Sequence, residues 1–265
     1  MKTARIAERA AQLLSLESRV AIVTGAGSGI GRQISIRLAE MGASVVILDR
    51  NPETARETAD RIQSLGAGAV AIPCDVTSRS ACERATEQSM AAFGRIDILC
   101  NNAGIVVRKD AVSLEESEWD AVLAVTLKSV YLLSREVIPH MLRNGGGSII
   151  NTGSGWSLKG GPRAVAYCAA KGGVLNLTRA MAIDHGRQNI RVNCVCPGDI
   201  DTPMLAAECQ QLGQDRGQFM TEAANRPLAR IGAVDDVADA VLFLAGDMSK
   251  WITGAALVVD GGGLA

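Results

Sequence analysis

The amino-acid sequence predicts an α/β fold, a parallel sheet with helices on both faces. Three observations carry that expectation. Apolar, β-branched runs alternate with helix-period patterns along the chain, and repeated strand–helix units build parallel sheets. The length of 265 residues suits one large α/β domain with a substantial core. No linker, repeat or low-complexity segment divides the chain.

The elements follow in order. "RVAIVTG" reads as the first strand, and "GIGRQISIRLAEMG" as a helix with Ile30, Ile34 and Leu38 at helical spacing and Gly42 as its stop. "SVVILD" is the second strand. "PETARETADRIQSLG" is a helix that opens on proline and closes on glycine. "AVAIPCD" gives a third strand, followed by a helix over 78–93, and "IDILCNNAG" holds the fourth strand. One long helical region is predicted over 114–142, before the strand in "GSIINTGS". A helix over 163–185, the strand "IRVNCV", a helix over 234–244 and the strand "AALVVDGG" complete the pattern. The domain is expected over 16–265, preceded by an extension, residues 1–15. That extension is basic, alanine-rich and weakly amphipathic; Glu8 interrupts the pattern of a transit peptide, so a frayed helix or a subunit contact is the simpler reading.

The bulk chemistry excludes some functions. A net charge of -1 gives no electrostatic case for nucleic acid or an anionic membrane, and no apolar run is long enough to span a bilayer. Seven cysteines, an odd number lying mostly in apolar or helical stretches, read as reduced thiols of a cytoplasmic protein. Cys194 and Cys196 lie far in sequence from both histidines, His140 and His185, so no metal site is expected.

Two local patterns point to chemistry. The first strand runs into "TGAGSGIG", where Gly25, Gly29 and Gly31 lie between strand and helix. Glycine there permits a tight turn and close approach of backbone to a pyrophosphate at the helix N-terminus. Asp49 ends the second strand, where an acid can bind adenosine ribose hydroxyls and repel a 2′-phosphate. It favours NAD over NADP, and the neighbouring cation of Arg50 works against that preference. The second pattern is "YCAAK": Tyr167 and Lys171 stand four residues apart and share one helix face. A lysine beside a phenol makes chemical sense if the phenol must lose its proton.

Together these residues resemble the short-chain dehydrogenase/reductase family, over nearly the whole chain from about residue 16 to residue 262. "TGAGSGIG" is similar to its T-G-x-x-x-G-x-G cofactor turn, which adds Ser28 and Ile30 to the glycines. "CDV" resembles the adenine-contacting segment, here Asp75 and Val76. "NNAG" resembles the fourth-strand motif bordering the cofactor, with Asn102, Ala103 and Gly104. Ser154 stands in the place of the family's catalytic serine, and Tyr167 and Lys171 fill Y-x-x-x-K. "PGDIDT" resembles P-G-x-I-x-T: Pro197 and Gly198 lead to Ile200 and Thr202, which would hold the nicotinamide carboxamide. The resemblance implies a single Rossmann-like, doubly wound domain with a seven-stranded parallel sheet, assembled as a homotetramer. One position departs. Thr126, in "VTLKSV", occupies the place of an asparagine that holds a water of the proton relay.

The chemistry implied is hydride transfer with NAD between a secondary alcohol and its ketone. A free phenol has a pKa of about 10. An ammonium about 4 Å away, at an effective dielectric of about 20, favours the phenolate by about 4 kcal/mol, up to about 3 pKa units. Tyr167 is therefore the expected general base, with Lys171 lowering its pKa and contacting the nicotinamide ribose, and Ser154 as donor to the substrate oxygen. Residues 105–113, 155–163 and 203–226 should frame the pocket, the last as a lid. Trp156 and Met204 offer an apolar wall. Lys159 and Arg163 read as an anion site or, more simply, a solvated face, and Asp199 suits hydroxyl-rich substrates. Two other readings remain: an NADPH-dependent ketoreductase such as a 3-oxoacyl-carrier-protein reductase, and a nucleotide-binding scaffold without turnover, which only Thr126 favours.

Overall fold

The computed structural model describes residue 9 and residues 11–265; most of the predicted extension therefore lies outside the described residues. Seven parallel strands form one Rossmann-like sheet: β1 (Val20–Thr24), β2 (Ser44–Asp49), β3 (Ala69–Pro73), β4 (Ile98–Asn101), β5 (Gly147–Thr152), β6 (Ile190–Pro197) and β7 (Ala256–Val259). Their order is β3-β2-β1-β4-β5-β6-β7. The order reverses between β1 and β4, and a crevice opens at the carboxyl ends of strands where that happens. Val23 of β1 pairs with Ile47 on one side and with Cys100 on the other.

Strand residues alternate between the two faces. Ala21, Val23, Val45 and Ile47 pack against Ile34 and Leu38 of α1 (Gly29–Glu40), Ala55 and Ile62 of α2 (Pro52–Ser64), and a C-terminal helix bearing Val237 and Val241. Val20, Ile22, Val46 and Leu48 face the opposite way, toward Cys82 and Ala85 of α3 (Arg79–Phe93) and toward Leu133, Val137 and Met141. Both faces are covered, so β1 reads as an uninterrupted apolar run with all five residues buried. Helix starts follow local chemistry. The Asn51 side chain accepts from the N–H groups of Glu53 and Thr54, with Pro52 in the first turn of α2, and Ser78 caps α3, which ends at Gly94 with φ +75°.

Three elements differ from expectation. The region predicted as one helix over 114–142 consists of α4 (Glu116–Leu123), a π-helical turn (Ala124–Lys128) and α5 (Ser129–Arg143). The Ser129 N–H reaches back five residues to the Ala124 carbonyl, which widens the helix at Thr126. Helix α6 runs over Val165–His185, two residues shorter at its start than expected. Residues 203–226 hold two helices, α7 (Pro203–Leu212) and α8 (Arg216–Ala224), separated at Gly213, whose φ of +62° is left-handed. The C-terminal helix is α9 (Val234–Ala245). All seven cysteines are free thiols, and no helix among the described residues is long and apolar enough to cross a membrane.

Candidate active site

The carboxyl ends of β1 and β4 are stitched together. The Thr24 hydroxyl accepts from the N–H groups of Asn102 (2.9 Å) and Ala103 (3.0 Å), and Asn102 Nδ2 donates to the Thr24 carbonyl at 3.1 Å. The turn after β1 leans on this junction. Gly25 has φ +61°, and a Cβ there would lie 3.0 Å from Ala103 Cα. Gly31 is buried beneath the turn rather than on the crevice wall.

A crevice of about 440 Å³ runs from this turn across the sheet. Its first part is walled by Gly25, Ser28, Gly29 and Ile30. Ser28 caps α1 with backbone only, so its side chain leaves the first N–H groups of that helix for another acceptor. Asp49 lines the crevice and is held from both sides. Its Oδ2 accepts from Gly27 N–H and its Oδ1 from Asn51 N–H, each at 2.9 Å. Arg50 is exposed at the same wall and makes no ion pair among the described residues. Asp75 and Val76 follow. Two bonds donated by Thr77, from its N–H and its hydroxyl, hold the Asp75 carboxyl below its usual range. Asn102, Ala103 and Gly104 form the floor; Pro197, Gly198, Ile200 and Thr202 border it from the end of β6. The Thr202 hydroxyl also accepts from Leu205 N–H at 3.3 Å and so starts α7. An uncapped helix N-terminus, glycines whose Cβ would fill the turn, and an acid at the end of β2 fit a dinucleotide.

The second part of the crevice holds Ser154, Trp156, Tyr167, Lys171 and Met204 together, as the sequence predicts. Ser154 follows β5; its Oγ accepts from Trp156 N–H at 3.1 Å and its N–H donates to Ser157 Oγ at 3.0 Å. Tyr167 and Lys171 lie on one face of α6, in its first two turns. Lys171 is 3% exposed, and its ammonium donates to the Thr152 carbonyl at 2.6 Å. Thr126, 1% exposed, is not on the crevice wall. Its hydroxyl accepts from Ile105 N–H (3.2 Å) and donates to the Ile105 carbonyl (3.3 Å), just behind Gly104. Arg163 is exposed and outside the crevice, as a solvated residue, while Lys159 donates to the Gly263 carbonyl at 3.2 Å.

The electrostatics correct one expectation. Tyr167 is not held below the ordinary phenol range beside Lys171. Burial pushes the phenol above its ordinary value, and the charge of Glu208 pushes in the same direction; the Ser154 hydroxyl opposes them. The ammonium lies 5.5 Å from the centroid of the tyrosine ring and spends a hydrogen bond on Thr152. Burial brings Lys171 itself down to about 8. Its charge is therefore disfavoured in the folded protein below that pH, and the penalty is relieved as pH rises from about 8 to 10.5. Lys171→Met should accordingly be the more stable protein at neutral pH, by up to about 3 kcal/mol. Its advantage over the parent should shrink between pH 8 and 10.5. Urea unfolding of both proteins at several pH values checks this; a gap that does not change with pH refutes it.

Three charged residues of the site carry no signal in the sequence: Arg108 and Glu208, which pair at 2.6 Å, and Arg226, which pairs with Asp199. Each partner is remote in sequence, and nothing in the local pattern marks any of them apart from a solvated charge.

A family model described as enoyl-(acyl carrier protein) reductase matches residues 25–263. The chain is 40% identical to the (2S)-[(R)-hydroxy(phenyl)methyl]succinyl-CoA dehydrogenase subunit BbsD of Thauera aromatica, over 94% of this chain and 98% of that one. It is 42% identical to the 2-(R)-hydroxypropyl-CoM dehydrogenase of Xanthobacter autotrophicus, over 92% and 98%. Among solved structures, a 7α-hydroxysteroid dehydrogenase complexed with NADH and 7-oxo glycochenodeoxycholic acid superposes with a TM-score of 0.89. It is 34% identical and is matched over 95% of this chain and 96% of that one.

Proposed function

The chain belongs to the short-chain dehydrogenase/reductase family, and from that premise we propose that it interconverts a secondary alcohol and its ketone with NAD(H), Tyr167 handling the proton. The substrate class proposed is a polyol, sugar-like or cyclic alcohol. The observation that supports the reading is the meeting of Ser154, Tyr167 and Lys171 in one crevice with the glycine turn and Asp49. Bound nicotinamide dinucleotide supplies the hydride donor or acceptor. Gly25, Ser28, Gly29 and Ile30 would hold its pyrophosphate, with Gly31 packed beneath them, Asp49 a ribose, Asp75 and Val76 the adenine. Asn102, Ala103 and Gly104 would border it, and Pro197, Gly198, Ile200 and Thr202 would orient the carboxamide.

Ser154 donates to the substrate oxygen and stabilises charge there. Tyr167 gives a proton to a carbonyl oxygen or takes one from an alcohol. A phenol of raised pKa stays protonated through the neutral range but releases its proton reluctantly; positive charge beside it, which Lys171 carries below pH about 8, favours the phenolate in either direction of transfer. Thr126 stands in the relay, its hydroxyl occupied by Ile105. Residues 203–226 act as the lid. The assembly we infer is a homotetramer: Tyr131 on α5, Ile183 on α6 and Trp251 before β7 leave large apolar surface exposed, and light scattering reports the mass.

The test is NADH formation across a panel of secondary alcohols; no turnover with any of them, and none with ketones in reverse, would sink the enzymatic reading. Asp49 is the proposed source of NAD preference. Asp49→Ser should weaken NAD about 10- to 100-fold, the worth of a hydrogen bond to a charged group, and weaken NADP far less. An unchanged ratio of the two dissociation constants removes that role. The second reading, an NADPH-dependent ketoreductase such as a 3-oxoacyl-carrier-protein reductase, is favoured by the exposed, unpaired Arg50 at the same wall; tighter binding of NADP than NAD by the parent would select it.

A further inference from the structure

Arg108 lies between β4 and α4 and is 8% exposed. Its guanidinium donates to Glu208 Oε2 of α7 at 2.6 Å and to the Pro162 carbonyl, ahead of α6, at 3.1 Å. Its Cζ lies 5.0 Å from the centroid of the Trp156 ring, and Trp156 meets Tyr167 edge-on at 5.9 Å. The Arg108 N–H donates to Gln211 Oε1 at 2.8 Å, while Gln211 Nε2 donates to the Val106 carbonyl at 3.2 Å. Glu208 and Gln211 are one turn apart on α7, so the helix grips this segment at two points. One arginine therefore joins the three segments that frame the pocket, and an unbroken line of contacts leads from it to the phenol. A buried ion pair contributes little stability over a well-packed apolar pair, so its use here is sought in what it touches.

We propose that Arg108 and Glu208 form a charge clasp that docks α7 onto the catalytic wall, fixes the Tyr167 ring through Trp156 and sets how readily that phenol gives up its proton. Both are positioning residues, and the proposal rests on the reading of Tyr167 as the proton-handling group. The groups facing the phenol are Glu208 from α7, Asp199 after β6 with its partner Arg226, Ser154 after β5, and Cys168 and Lys171 on α6. The Glu208 charge opposes the phenolate, and its ion pair with Arg108 attenuates that charge.

The chain contains two tyrosines, which makes a direct test available. Tyr131→Phe, on the half-exposed face of α5, leaves Tyr167 as the sole phenol, and the ultraviolet absorbance of its phenolate reports ionisation without any substrate. In that background Glu208→Gln removes the opposing charge, and the titration should move to lower pH. Arg108→Met leaves Glu208 uncompensated and ionised at the alkaline pH where the phenol titrates, and the titration should move to higher pH. Each shift is expected to be about tenfold in the ionisation constant, and the double variant should fall between the two. Circular dichroism across the pH range establishes that each variant is folded; if Arg108→Met is not, Glu208→Gln alone must still show its downward shift. Shifts of the same sign, or none, overturn the clasp. Opposite shifts together with full turnover by Tyr167→Phe would keep the clasp and reject the catalytic reading, so the two failures are distinguishable.

Discussion

Replacing Tyr167 by phenylalanine is expected to leave dinucleotide affinity unchanged and to lower turnover by about 100- to 10,000-fold, the usual worth of a positioned proton-transfer group. The substitution removes one oxygen and keeps the ring. The edge-on contact with Trp156 at 5.9 Å and the Lys171 ammonium 5.5 Å from the ring centroid do not depend on the hydroxyl, so the wall keeps its shape. The Lys171 hydrogen bond to Thr152 is likewise untouched. What is lost is the group proposed to exchange a proton with the substrate oxygen. Turnover is measured at saturating substrate and affinity by fluorescence titration with the dinucleotide. Comparable turnover by mutant and parent would reject the assignment.

The second large effect belongs to Gly31. An alanine Cβ there would lie 2.2 Å from the Gly25 carbonyl oxygen and 2.5 Å from Asn102 Nδ2. The first is backbone, and the second is engaged with the Thr24 carbonyl at 3.1 Å, so neither can swing aside. The turn must lift away from β4. Overpacking of this kind costs about 1–3 kcal/mol, which for a chain of this size is a fall in Tm of roughly 2–4 °C per kcal/mol. Because the displaced turn is the proposed cradle for the pyrophosphate, Gly31→Ala should also lose at least about tenfold in dinucleotide affinity. Unchanged melting and unchanged affinity together would remove close approach as the reason for glycine at this position.

Much of this was legible in the chain. The inner strands are apolar, largely β-branched runs buried on both sides, a pattern that survives reading without tertiary context. Y-x-x-x-K is legible because helical spacing alone puts both side chains on one face. The π-helical turn at 124–128 was not legible, since an i→i−5 bond leaves the same apolar spacing on either side of it. The start of α6 at Val165 was missed by two residues, in a segment where Arg163 takes φ +48°. The pairing of Tyr167 with Lys171 predicts a lowered phenol, whereas burial in the fold raises it. Spacing predicts a neighbouring ammonium, but desolvation and the charges of Glu208 and Asp199 arrive from elsewhere in the fold. Arg108 and Glu208, 100 residues apart, each look like an ordinary surface charge until the fold brings them together.

The strand order has a consequence for how the protein comes into being. Thr24 meets Asn102 at a sequence separation of 78, and the chain between them includes the two strands on the far side of β1. Closing so long a loop is a non-local event, and until it is done the glycine turn leans on β2 alone, through Gly27 and Asp49. A nascent chain that has emerged only as far as α3 already displays the nucleotide-binding signature without the shape that binds. Recognition of nucleotide therefore waits on the pairing of β4 with β1, which brings the second wall of the cleft.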